Sequence, residues 1–188
     1  MKYIDLKDIV VFDCETTGLD PEHDEIIQLS IIDGNCNVLF SSFIKPFEKK
    51  TWEAAQAIHG ISPDDVADAP APCDVIDQIQ KIFNDHKLHI AYNGCFDKNF
   101  LYKWGIDFGS AVYYDVMLAF APIYGEWNDY YGEYKWQKLI KCAAYYNYEF
   151  KAHDALEDVK ATLHCFQKMM ENDSSEENKI YNWMHGLL

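Results

Sequence analysis

Positive charge is scarce in this chain: 16 basic residues stand against 31 acidic ones, for a formal net charge of −15. That excludes a broad electrostatic grip on a polyanion, which needs a basic patch or stripe. Any contact with nucleic acid would have to be short, with the local charge supplied largely by metal ions. Long apolar runs are also missing. No stretch approaches the roughly 20 residues of a membrane helix, and Asp5 and Asp8 interrupt the N-terminus before a signal-peptide core could form. The expectation is a soluble, cytoplasmic protein with no membrane partner. The six cysteines, at 14, 36, 73, 95, 142 and 165, include no C-x-x-C pair. This argues against both a disulfide framework and a zinc knuckle, and for buried free thiols in a reducing compartment. There is no internal repeat and no low-complexity block.

What is present is an ordinary globular balance, 49% hydrophobic and 25% charged over 188 residues. One domain of this size buries about 70% of its unfolded-chain surface. Residues 8–14 read as a buried strand, a valine-rich run that ends at the turn-like Thr16-Thr17-Gly18. Residues 25–33 and 36–44 are two further strands around the hairpin signal Asp33-Gly34-Asn35. A helix from Trp52 to Ile58 stops at His59-Gly60. Residues 72–85 form an amphipathic helix with Val75, Ile76, Ile79, Ile82 and Phe83 on one face. A strand over 88–92 turns at Asn93-Gly94 into a helix over 96–104. Tyr113 and Tyr114 form a brief strand before a helix that begins at Asp115. Residues 124–134 read as an irregular aromatic loop, followed by helices near 135–146 and 154–171. Three strands in a meander, then helices alternating with short strands, imply an α/β mixed sheet covered by helices. The domain spans 1–172, with 173–188 as a tail or short docking helix.

Acidic residues recur where such a sheet gathers ligands. Asp13 and Glu15 lie two apart at the end of a buried strand, so both point to one face with Cα atoms roughly 6.5–7 Å apart. Two carboxylates there can share a hard cation, although strand-end acids facing water are the ordinary alternative. Asp97 opens the helix after strand 88–92, at the carboxyl end of that strand; alone it is a first-turn acid favoured by the helix dipole. Asp154 and Glu157 have capping-box spacing, which places His153 just before the last helix and Asp158 in its first turn. Alone, this is a capped surface helix.

Together the three pieces are far more specific. Phe12-Asp13-Cys14-Glu15-Thr16-Thr17-Gly18, Asn93-Gly94-Cys95-Phe96-Asp97 and His153-Asp154-Ala155-Leu156-Glu157-Asp158, in this order, resemble the three motifs of the DEDDh (DnaQ-like) exonucleases. Ile58-His59-Gly60-Ile61 and Asp115 also resemble that family, and the likeness spans about residues 8–170. It implies a ribonuclease H-like fold: an antiparallel three-strand meander, plus parallel strands, flanked by helices. It also implies a metal-dependent 3′→5′ exonuclease that releases nucleoside 5′-monophosphates from a single-stranded 3′ end, DNA favoured over RNA.

The resemblance assigns roles as well. Asp13 would bridge two Mg²⁺ or Mn²⁺ ions, Glu15 and Asp158 would hold the ion that activates water, and Asp97 would help hold the other. His153 would be the general base. Oxygen ligands suit these ions, two ions about 3.5–4 Å apart can stabilise attacking and leaving oxygens, and histidine titrates near neutral pH. Thr16, Thr17, Gly18, Ile58 and His59 would cradle the terminal nucleotide, with Gly18 permitting a tight bend.

Several features stay open. The rings of Tyr124, Trp127, Tyr130, Tyr131, Tyr134 and Trp136 could stack on unpaired bases or pack as a satellite cluster. Glu22-His23-Asp24-Glu25 reads as a solvated turn, and His86 and His89 as surface residues. Alternatives to the general exonuclease are a hydrolase of short oligonucleotides and a non-catalytic interaction module on the same fold. A polymerase partner is possible but weakly supported.

Overall fold

The computed structural model describes residues 5–172. Seven strands and six helices follow in order: β1 (Ile9–Thr16), β2 (Ile26–Asp33), β3 (Val38–Phe43), α1 (Glu53–His59), α2 (Pro72–Asp85), β4 (Leu88–Ala91), α3 (Gly94–Lys103), β5 (Val112–Asp115), α4 (Val116–Tyr124), β6 (Trp127–Asn128), β7 (Glu133–Tyr134), α5 (Leu139–Tyr145) and α6 (Ala155–Asn172). Five strands make one sheet in the order β3-β2-β1-β4-β5, and β6 with β7 makes a separate ribbon. β3, β2 and β1 pair antiparallel, while β1, β4 and β5 run parallel. This is the mixed, helix-flanked sheet of the ribonuclease H-like fold. The tail at 173–188 lies outside the described residues.

The alternation of β1 decides where its acids go. Ile9 and Val11 pack with Val159, Leu163 and Phe166 of α6 and with Phe120 of α4. Val10, Phe12 and Cys14 pack instead with Val75, Ile79 and Phe83 of α2 and with Phe100 and Leu101 of α3. Both faces are covered, which is why β1 reads as a continuous apolar run. Asp13 and Glu15 have the parity of Ile9 and Val11, and so they face α6. The β1–β4 pairing stops at Val11–Ile90, so β1 runs on past the end of β4.

Local chemistry sets the element ends. Gly60, at φ +80°, closes α1 with its N–H on the Gln56 carbonyl. Pro72 opens α2, and Asp74 accepts the Ala71 N–H. Asp115 caps α4 by accepting from Met117 N and Leu118 N.

Several sequence expectations are corrected. The expected helix over 135–146 begins only at Leu139. Residues 135–138 are held extended: Lys135 N–H donates to the Glu126 carbonyl, and the Gln137 side chain bonds Glu126, the Lys135 carbonyl and Lys141. The aromatic segment is not irregular but a β6–β7 hairpin. The β2–β3 turn does begin at Asp33-Gly34-Asn35, with Cys36 in the left-handed region (φ +66°). Asp33 stabilises that turn by accepting from Asn35 N and Asn37 N. His89 is no surface residue: it is buried, with Nε2 on the Phe83 carbonyl at 3.0 Å and Phe83 and Phe108 edge-on to its ring. Of the six free cysteines, Cys14, Cys142 and Cys165 are buried, but Cys36, Cys73 and Cys95 are exposed. Among the described residues no helix is long and apolar enough to cross a membrane.

Candidate active site

A cleft of about 490 Å³ opens at the carboxyl ends of β1 and β4. Its lining includes Asp13, Glu15, Thr16, Thr17, Gly18, Ile58, His59, Asp97, His153 and Asp158, so the residues expected to act on metal or on the terminal nucleotide meet in one place. β1 delivers Asp13 and Glu15, α3 delivers Asp97, and the start of α6 delivers His153 and Asp158.

Asp97 is fixed by the strand it crosses. Where β4 ends, the exposed edge of β1 is covered by the Asp97 carboxylate, whose Oδ1 accepts the Cys14 N–H at 3.0 Å and the Cys14 thiol at 3.2 Å. The turn before α3 is fixed from β5. Asp115 accepts Asn93 N–H through one oxygen and Gly94 N–H through the other. Gly94 is required there, because a Cβ would lie 2.0 Å from the Tyr113 hydroxyl and 2.4 Å from the Ala91 Cβ. Asp158 is tied to the residue before its own helix: the His153 N–H donates to its Oδ2 at 3.1 Å. Asp154 caps α6 by accepting from Leu156 N and Glu157 N. Glu157, the other half of the expected capping box, turns to Lys160 instead. His153 sits at φ +67°, a conformation that turns the chain into α6 and leaves the imidazole exposed at the cleft.

Electrostatically the site is a set of carboxylates that resist ionising together. Burial, then Asp97, Asp158 and the other acids, holds Asp13 well above the ordinary carboxylate range. Glu15 is pushed up to about 8 by burial and then by Asp158 and Asp97. Asp97 and Asp158 rise to about 7, mainly by burial, even though hydrogen bonds from Cys14 and from the His153 N–H pull the other way. The Asp158 Oδ1 is buried and has no hydrogen-bond partner among the described residues. Glu15, His153 and Asp158 each present a ligand atom within 4.8 Å of the other two. A buried carboxylate oxygen with no donor among the described residues, in a cluster of carboxylates with one imidazole beside them, fits a divalent cation.

The other wall is the turn after β1. Thr16 Oγ1 donates to the Gly18 carbonyl, and Thr17 Oγ1 donates to Asp24. Asp24 also accepts the Asp20 N–H and pairs with Lys49 at 2.9 Å. Gly18 is needed for space rather than for an unusual φ, since a Cβ would lie 2.3 Å from the Asp24 carboxylate. Glu25 binds the loop after β3 by accepting N–H bonds from Phe47, Glu48 and Lys49. The segment 22–25, expected to be a solvated turn, is therefore partly a brace for the cleft wall. His59 accepts the Ile61 N–H on Nδ1 and directs Nε2 to the Thr16 carbonyl at 3.3 Å. The proton therefore resides on Nε2, and burial lowers the imidazole pKa. Cys14, Asp24, Tyr92 and Leu139 were not singled out as site residues in the sequence, and only the strand-adjacent position of Cys14 could have signalled one of them.

Comparison with known proteins bears on the family and the fold. The RNase T exonuclease family matches residues 10–166. The uncharacterized exonuclease CP81 of Escherichia phage 186 is 31% identical over 168 residues, covering 83% of this chain and 84% of its own. The PolC-type DNA polymerase III of Staphylococcus saprophyticus is 30% identical over 166 residues, which are 86% of this chain but 11% of the polymerase. Escherichia coli exonuclease I in complex with single-stranded DNA shares the fold with a TM-score of 0.72 at 20% identity, over 94% of this chain and 43% of that one. Exonuclease X in complex with 5′-overhanging duplex DNA shares it with a TM-score of 0.66 at 21% identity, over 89% of this chain and 93% of that one.

Proposed function

The chain belongs to the RNase T exonuclease family, and from that premise we propose that it is a 3′→5′ exonuclease. It removes nucleotides one at a time from a single-stranded 3′ end, DNA in preference to RNA, and releases nucleoside 5′-monophosphates. The observation that carries this reading is the convergence of Glu15, His153 and Asp158, with an Asp158 oxygen that no described residue partners.

Asp13, Glu15, Asp97 and Asp158 would hold two Mg²⁺ or Mn²⁺ ions. When bound, the ions supply the positive charge that the scissile phosphate and an attacking water require. The chain's own groups do the rest. His153, exposed at the cleft and anchored through its N–H to Asp158, takes the proton of the attacking water. The Thr16-Thr17-Gly18 turn, braced by Asp24 and His59, offers its backbone to the terminal nucleotide, and Ile58 packs against that nucleotide's base. The preference for DNA draws on the relatives, whose names include a DNA polymerase and a single-stranded DNA complex. The polymerase relatives also favour a second reading, in which the domain trims ends beside a polymerase partner.

The test is a time course on 5′-labelled single-stranded DNA and RNA of one sequence, with Mg²⁺, with Mn²⁺ and with EDTA, and Asp13→Ala as control. Stepwise shortening from the 3′ end that needs metal and fails in the variant supports the reading. Cleavage from the 5′ end, or no cleavage by folded protein loaded with metal, contradicts it. Stepwise shortening that appears only when a polymerase is added favours the second reading.

A further inference from the structure

We infer that the hairpin carrying Trp127, Tyr130, Tyr131 and Tyr134, with Trp136 beside it, is a stacking platform for the unpaired bases that follow the terminal nucleotide into the chain. The inference rests on the exonuclease reading of the cleft.

The rings are not core. Tyr130 and Tyr131 are 86% and 70% exposed, and Trp136, Trp127 and Tyr134 are exposed as well. Between Tyr124 and Lys138 there is no aliphatic apolar side chain; every apolar side chain is a tyrosine or tryptophan. That is the composition of a surface for flat π-systems, since every base has a face to stack.

The rings are also held in place before any ligand arrives. Trp127 and Tyr134 meet edge-on across the ribbon at 5.0 Å, and the neighbours Tyr130 and Tyr131 meet edge-on at its tip at 4.8 Å. Asn128 closes the tip by accepting from Tyr130 N and Tyr131 N. Glu126 binds the stem through Lys135, Gln137 and Lys141. Rings ordered in advance lose little entropy on binding.

The stem is continuous with the cleft. Tyr92 and Leu139 both line the cleft, and the Tyr92 hydroxyl donates to the Gln137 carbonyl at 2.7 Å. Tyr131 is six residues from Gln137, so it lies within about 20 Å of that anchor. At about 3.4 Å per stacked nucleotide, that span matches roughly six bases.

Charge explains why bases rather than phosphates are the contact. The chain contains no arginine, and among the described residues no lysine lines the cleft. On the hairpin stem Lys135 and Lys141 are paired with Glu126. With a net charge of −15, affinity for the strand beyond the metal-held terminal phosphate calls for uncharged contacts, and exposed rings supply them.

The experiment compares wild type, Tyr130→Ala/Tyr131→Ala and Tyr130→Phe/Tyr131→Phe on oligothymidylates of two and eight nucleotides. Thymidine 5′-(p-nitrophenyl phosphate), which fills only the terminal position, is assayed in parallel. The expected result is a KM for the octamer raised at least about tenfold in the alanine variant, with kcat within about twofold. The phenylalanine variant keeps the wild-type KM, and hydrolysis of the nitrophenyl ester proceeds equally in all three. An unchanged octamer KM in the alanine variant overturns the inference and leaves the rings to a protein partner. Failure of wild type to hydrolyse either substrate would sink the cleft reading instead. Quenching of tryptophan fluorescence by the octamer then decides the platform, which stands if quenching is strong in wild type and weak in the alanine variant and falls if the two are alike.

Discussion

One oxygen of Asp97 accepts two hydrogen bonds from Cys14, from the backbone N–H at 3.0 Å and from the thiol at 3.2 Å. Cys14 sits between Asp13 and Glu15, so the bond locks the carboxylate of α3 to the strand that carries the other two. Cys14→Ala removes the thiol bond and leaves the N–H bond. It is expected to lower kcat by less than about tenfold, the low end for a residue that orients a ligand, and Cys14→Ser to restore it. Equal damage from Ala and Ser would mean that packing, rather than the bond, is what matters at this position.

Asp97→Asn keeps the shape but removes one of the buried charges that hold Asp13 high. Activity should fall at least about 100-fold, while the metal-free variant melts at a higher temperature than wild type at pH 8. A variant that is both inactive and less stable would point to a structural role for the Asp97 charge.

His153 combines a chemical role with an unusual backbone, φ +67°. His153→Asn tolerates that conformation, so its melting temperature should stay near wild type while kcat drops by about 10²–10⁴, the usual worth of a general base. His153→Val should lose the same activity and also melt lower, because a β-branched residue is strained there. Full activity in the Asn variant would remove His153 from the chemistry.

In the metal-free protein Asp97 and Asp158 titrate near about 7 and Glu15 near about 8, against roughly 4 in an unfolded chain. Between those values the folded state binds more protons than the unfolded state, so stability falls as pH rises from about 5 to 8. Asp24 and Asp33, whose pKa is lowered, act in the opposite sense only below about pH 4, while His59 and His89, lowered by burial, oppose the trend up to about pH 6.5 and are outnumbered by the site carboxylates. Thermal melts in EDTA should therefore decline across pH 5–8, and Mn²⁺ should raise the melting temperature more at pH 8 than at pH 5. A melting temperature in EDTA that climbs over this range would contradict the acidic coupling.

Gly18→Ala puts a Cβ 2.3 Å from the Asp24 carboxylate, and Asp24 is held by Thr17, the Asp20 N–H and Lys49. The clash should cost about 1–3 kcal/mol and raise KM for oligonucleotides by loosening the turn. Adding Asp24→Ala to the same chain should recover part of the lost stability. If the double variant is no more stable than Gly18→Ala, the clash is not the cause.

The sheet and the site were legible where the pattern is local. Apolar runs marked β1, β2 and β4, period two put Asp13 and Glu15 on one face, and Asn93-Gly94 marked the turn that presents Asp97. Contacts distant in sequence left no such mark. That Cys14 would clamp Asp97, 83 residues away, that Asp115 would hold Asn93 and Gly94, and that Asp24 would brace the Thr17 turn all depend on tertiary proximity. The helix near 135–146 was read too early because lysine, tryptophan and glutamine suit a helix locally, whereas Glu126 and Tyr92 hold those residues extended. His89 looked exposed because a short strand gives no sign of which polar residue has a buried carbonyl to meet.

The most direct test of the central claim, that these four carboxylates form the metal centre of the reaction, is to titrate Mn²⁺ and measure turnover on the same protein samples. Wild type should bind two Mn²⁺ ions, with turnover of a single-stranded oligonucleotide rising as they bind, and Asp13→Ala should lose both the binding and the turnover. Turnover that persists in EDTA, or an Asp13→Ala variant that cleaves as fast as wild type, would contradict it.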